Sequence, residues 1–110
     1  MSYSFIKRGG GYRAVIEGAV DEDTFVVPAG MQIVSISTKQ NTTTDGNLTI
    51  GTEADGDQIV ASVALGVTAE ALADQTVVAN VFSTTASQTC HINISSATTC
   101  DIYVIMQKVD

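Results

Sequence analysis

The chain has 110 residues, 45% of them hydrophobic but only 5% aromatic, with no Trp and two Cys. This is one domain with one modest core built from Val, Ile, Ala and Leu, and it leaves no room for a second domain or a deep substrate chamber. Residues 1–16 carry Lys7, Arg8 and Arg13 and no acid, while the rest sets Lys39 and Lys108 against all twelve acids, so a net charge of −7 divides into a basic start and an acidic body. An acidic body repels phosphate backbones, which argues against nucleic acid as a partner. No apolar run approaches the roughly 20 residues of a membrane helix.

Residues 1–13 read as a flexible basic N-terminal arm, and residues 14–110 as the folded domain. Gly9, Gly10 and Gly11 break any regular element and suit a hinge. The opening MSYSFIKRGGGYR lacks the apolar stretch of a signal peptide, so synthesis in a cytoplasm is expected. Cys90 and Cys100 then fit a reducing compartment better than a disulfide scaffold. The sequons at Asn41, Asn47 and Asn93 are read as chance in a chain with fourteen Thr and nine Ser.

Beyond the arm, short extended stretches alternate with turn signals. Ala14–Glu17 is a brief strand ended by Gly18, and Asp21, Glu22 and Asp23 form a solvated turn. Thr24–Val27 is extended, Pro28-Ala29-Gly30 is a turn, and Met31–Lys39 is a strong strand. A tight hairpin at Asp45-Gly46 would set Thr43 opposite Leu48 and Asn41 opposite Ile50, polar against apolar. A longer loop over Gln40–Gly46, or strands in different sheets, is therefore expected.

Leu48–Ile50 is a short strand. Ile59–Leu65 alternates Ile59, Ala61, Val63 and Leu65 against Val60, Ser62 and Ala64, apolar on both faces, which suggests burial on both sides at a subunit contact. Thr68–Asp74 is the one stretch that could make a helical turn, with a loop or strand as open alternatives. Thr76–Phe82, Gln88–Ile94 and Thr99–Lys108 complete the strands. Joined by Ser95–Thr99 as an antiparallel hairpin, the last two place Ile94 opposite Cys100, Ile92 opposite Ile102 and Cys90 opposite Val104, with the cysteines too far apart to bridge. Seven or eight strands at spacings of about ten residues predict an antiparallel β-sandwich, jelly-roll-like, with little or no helix.

Catalytic groupings are sparse. His91 alternates with Thr89 and Asn93 away from the core face, and its neighbour Cys90 points the other way, so the two do not form a nucleophile–base pair. No motif of a serine hydrolase, zinc protease or P-loop is present. Glu53, Asp55 and Asp57 cluster around Gly56 as calcium loops do, but the full ligand spacing is missing. A polar turn with Gly56 at positive φ is the expected form. No catalytic residue and no cofactor are therefore predicted.

The segment VPAGMQIVSISTKQNTTTDGNLTIGTEADGDQIVASVAL resembles small β-rich structural proteins of tailed bacteriophages. The Pro28-Ala29-Gly30 turn, the Thr- and Asn-rich loop, Ile50-Gly51-Thr52 and Ile59-Val60-Ala61 carry the likeness, extended loosely by Val81-Phe82-Ser83 and the closing strand Ile102–Val109. The resemblance implies a non-enzymatic virion protein, a capsid decoration or a fibre- or tail-associated module. It would be a homo-oligomer, most simply a trimer, docking on other virion proteins such as the major capsid protein. In related sequences small residues stand at the positions of Glu53, Asp55 and Asp57, which speaks against a metal there. The expected interface residues are Tyr3, Phe5, Lys7 and Arg8 of the arm and Val60 and Ala64 of the two-faced strand. The alternative is a stand-alone ligand- or carbohydrate-binding β-sandwich module, which the lack of Trp disfavours.

Overall fold

Polar and apolar residues alternating between short turns leave the chain only one economical arrangement, two sheets sharing a core. The computed structural model describes residues 2–8, 11–78 and 85–108, with side chains from Tyr12 onward. Nine strands and no helix occur among them: β1 (Ser2–Arg8), β2 (Gly11–Ala19), β3 (Thr24–Val27), β4 (Met31–Gln40), β5 (Asn47–Gly51), β6 (Val60–Ala64), β7 (Leu72–Gln75), β8 (Gln88–Ile94) and β9 (Cys100–Lys108). Every pairing is antiparallel. The large sheet has the order β1-β2-β9-β4-β7 and the small sheet β3-β8-β5-β6.

Strands β2 to β9 thus form two four-stranded sheets in which each chain connection except β5–β6 crosses from one sheet to the other, the jelly-roll order, with β1 added outside β2. The core lies between the sheets. From the large sheet come Ala14, Ile16, Ile33, Ile36, Ile102, Val104 and Met106, and from the small sheet Phe25, Val27, Leu48, Ile50, Cys90, Ile92 and Ile94. Among the residues with described side chains Phe25 is the one aromatic fully buried there, and branched aliphatics fill most of the space.

Three features depart from the sequence reading. Most of the expected arm is strand, with β1 paired along its length with β2 from Ser2↔Glu17 to Arg8↔Gly11. Its Tyr3 and Phe5 alternate with Ser2 and Ser4, and with the β-branched Ile6 they suit an added strand; of the expected glycine hinge only Gly11 lies within the described residues. Second, β8 and β9 do not form a hairpin: β8 pairs with β3 and β5, and β9 with β2 and β4. Their apolar faces do meet, but across the sandwich rather than side by side. Third, the strand expected at Thr76–Phe82 is not there over residues 76–78, and residues 79–84 lie outside the described ones; the strand is β7, in the stretch weighed as a helical turn. Pairing of Ile36–Lys39 with Leu72–Gln75 overrides the helical propensity of the segment.

Gln40 still belongs to β4, and residues 41–46 form a loop that connects the two sheets, as the failed hairpin register implied. At Pro28-Ala29-Gly30, Gly30 has φ 81° and Met31 N–H donates to Pro28 O at 3.1 Å, a turn in which glycine takes the left-handed position.

Candidate functional site

On one side of the sandwich the two sheets end at β6 and β7, which are edge strands among the described residues. On β7 the residues level with inward-facing Thr38 and Ile36 are Ala73 and Gln75, a methyl group and an amide, too little apolar volume to close the core. Gln75 Nε2 donates to Thr38 Oγ1 at 3.0 Å, which turns its amide inward. On β6 a register shift between Ile50↔Val60 and Leu48↔Val63 interrupts the alternation. A groove of about 210 Å³ remains, with Val60, Ala61, Val63, Gln75 and Val78 among its lining residues. Around it Val67, Leu72 and Val78 are 61%, 74% and 61% exposed. This side is also sparsely charged: β6, β7 and the residues between them carry only Glu70 and Asp74, and Glu70 is paired with Lys39 of β4 at 3.3 Å. Apolar exposure combined with depleted charge is the signature of an interaction surface.

Two of the expected interface residues separate here. Val60 is buried in the core, while Ala64, past the register shift, is exposed. Strict alternation would have put both on one outer face; the bulge turns Val60 inward beside Ile59 instead. Val60 is therefore a core residue, and Ala64 alone stays on the surface. Tyr3, Phe5, Lys7 and Arg8 lie in β1 at the register positions of Ile16, Ala14, Tyr12 and Gly11.

The acidic loop is a polar turn. Gly56 N–H donates to Glu53 O at 3.0 Å, and the residue at positive φ is Asp55, at 60°, not Gly56. Gly56 is required for a different reason: a Cβ there would meet Gln58 Oε1, and one on Gly51 would overlap the Gly56 backbone. Gln58 clamps the turn, accepting from Thr52 N–H at 3.1 Å and donating to Glu53 Oε1 at 2.9 Å, while Asn93 Oδ1 accepts from Asp55 N–H at 3.1 Å. Glu53, Asp55 and Asp57 do not form a metal-binding group, and none occurs among the described residues.

Two polar clusters that the sequence reading missed organise the loops around the ends of β4 and β9. Gln40, buried, binds three loops with one amide. Its Nε2 donates to Gly66 O at 2.8 Å and Thr44 O at 3.3 Å, and its Oε1 accepts from Thr42 N–H at 3.1 Å and Thr98 Oγ1–H at 2.9 Å. Nearby, Asp101 accepts from Gly18 N–H and from Asn41 Nδ2, both at 2.8 Å, and lies 3.4 Å from Lys39 Nζ. Burial by itself pushes the Asp101 carboxyl up; the Asn41 and Gly18 donors and the Lys39 ammonium outweigh it and hold the carboxyl below its ordinary range. Lys39, held by Glu70 and Asp101, is pushed up and stays a cation.

Both cysteines are buried and unbridged, and burial pushes each thiol up to about 12. His91 is half-buried on the outer side of β8, level with Thr24 and Gly51, on the opposite strand face from Cys90. No helix among the described residues is long and apolar enough to cross a membrane. No protein-family model, curated protein or solved structure matches the chain at a significant level.

Proposed function

We propose that the protein is a non-enzymatic structural module of a tailed-bacteriophage virion, a capsid decoration or a fibre- or tail-associated part. In this reading it works by assembling with copies of itself, as a trimer in the simplest case, and by docking on a larger particle such as the capsid shell. The observation that carries this reading is the sparsely charged side where β6 and β7 end their sheets, an apolar surface with free strand edges built into a jelly roll. The sequence likeness through Pro28-Ala29-Gly30 and Ile50-Gly51-Thr52 points the same way. A fold alone does not define a function, and it is the surface that favours assembly.

A second reading, carbohydrate binding, draws on a shallow polar depression lined by Asp21, Asn47, Thr49, Asp55 and Asn93, whose amides and carboxylates could pair with hydroxyls. Asn93 is already engaged there by Thr49 and Gly56, and the lining has no aromatic platform. Electron microscopy of phage particles labelled with antibody against the chain tests the first reading: regular labelling on heads, fibres or tails is expected. Particles without label, together with retention of the free protein on a glycan array, would replace it with the second.

A further inference from the structure

We propose that the self-assembly is head-to-tail, with the β1 edge of one copy adding to the β7 edge of the next. The inference rests on the assembly reading above and names its partner as a second copy of this chain. The large sheet ends at β1 on one side and β7 on the other, and both are edges among the described residues. An exposed edge offers a row of backbone donors and acceptors that a second chain can pair with. Charge selects which edge meets which. On the β7 side Glu70 is paired with Lys39 of β4 at 3.3 Å, which leaves Asp74 as the charge of the edge strand itself, whereas β1 carries Lys7 and Arg8 and no acid. Joining β7 to β7 would bring Asp74 of both copies together, and joining β1 to β1 would oppose the cations; like charges across strands destabilise. Joining β1 to β7 sets opposite charges together.

The topology fixes the geometry of the junction. Successive neighbours in β1-β2-β9-β4-β7 are all antiparallel, so β1 and β7 run in the same direction. Copies related by rotation about an axis along the strands therefore join through a parallel strand pair, a heterologous contact that closes into a ring when the rotation divides the circle. Leu72 and Val78, both largely exposed beside this edge, would be covered by the same neighbour.

Charge-swapped variants test this without any particle, so a failure here is separate from a failure of the virion reading. In K7E/R8E both edges are acidic, and in D74K the β7 edge turns basic beside a basic β1. At low ionic strength each variant alone should self-associate several-fold more weakly than the native protein by sedimentation. An equimolar mixture should recover association, because each altered edge finds an opposite charge. Native protein that stays monomeric at high concentration, single variants that associate like the native chain, or a mixture no stronger than its components would overturn the proposal. Should K7E/R8E lose its fold, hydrogen exchange on the native protein decides: raising the concentration should protect amides in β1 and β7 together, and protection at neither or only one edge would overturn it.

Discussion

Asp101 sits in the large sheet where β2 bulges, and Gly18, at φ 61°, turns its N–H toward the carboxylate. Because its folded pKa lies below the unfolded value, its contribution to stability is complete above an unfolded pKa of about 3.9 and drains away as the pH falls through the depressed folded value. Asp101→Asn should remove that acid-side dependence and, by weakening the Gly18 and Lys39 contacts, lower stability at neutral pH by about 1–2 kcal/mol, as urea titrations at pH 7 and pH 3 would report. An unchanged acid profile would place the linkage elsewhere. The two thiols behave in the opposite sense: with both pushed to about 12, neither is a nucleophile near neutrality. A disulfide-exchange reagent should find no reactive thiol in the native protein and two in denaturant; rapid reaction of the native form would mean that the core around them opens.

Among the elements, the loops next to β4, β6 and β9 depend on a single side chain. Replacing Gln40 by Ala removes both of its donated bonds, to Gly66 O and Thr44 O, and the Oε1 that accepts from Thr42 N–H and the Thr98 hydroxyl. A loss of about 2–4 kcal/mol is expected, measured by thermal or denaturant unfolding, with Gln40→Glu intermediate at best because a carboxylate cannot donate to the two carbonyls. Much of this element-level structure was legible in the sequence. β3 and β8 fall on Thr24–Val27 and Gln88–Ile94, and the ends of β4 and β9 are off by one residue, because in these stretches period-two alternation is bounded by clear turn residues. Alternation tells which face is buried but not which strand lies alongside, so β8 and β9, whose apolar faces do meet, read equally well as a hairpin. β7 was illegible because Leu-Ala-Asp-Gln has no β-branched residue and owes its form to the β4 ladder. Val60 was misplaced because a bulge leaves no mark in composition. Of the candidate site, the near-absence of charge between residues 58 and 100 stands in the sequence, but only the sheet order makes that stretch an open edge.

At the scale of the whole molecule, charge of opposite sign stands at the two ends of one sheet. The cations of β1 and the border at β7, apolar apart from Asp74, are separated by the three strands β2, β9 and β4. The middle of that sheet has a further consequence. Its centre is β9, the last in chain order of the described strands, wedged between β2 and β4. On a ribosome, β2 and β4 therefore emerge ahead of the neighbour that joins them, and their inner faces, with Ile16, Ile33 and Ile36, stay uncovered until β9 has left the exit tunnel. Such distant pairing makes for slow closure and a long window in which a nascent chain can stick to others. The large sheet is thus completed only once β9 is at hand, and until then neither of its borders is held by a finished sheet.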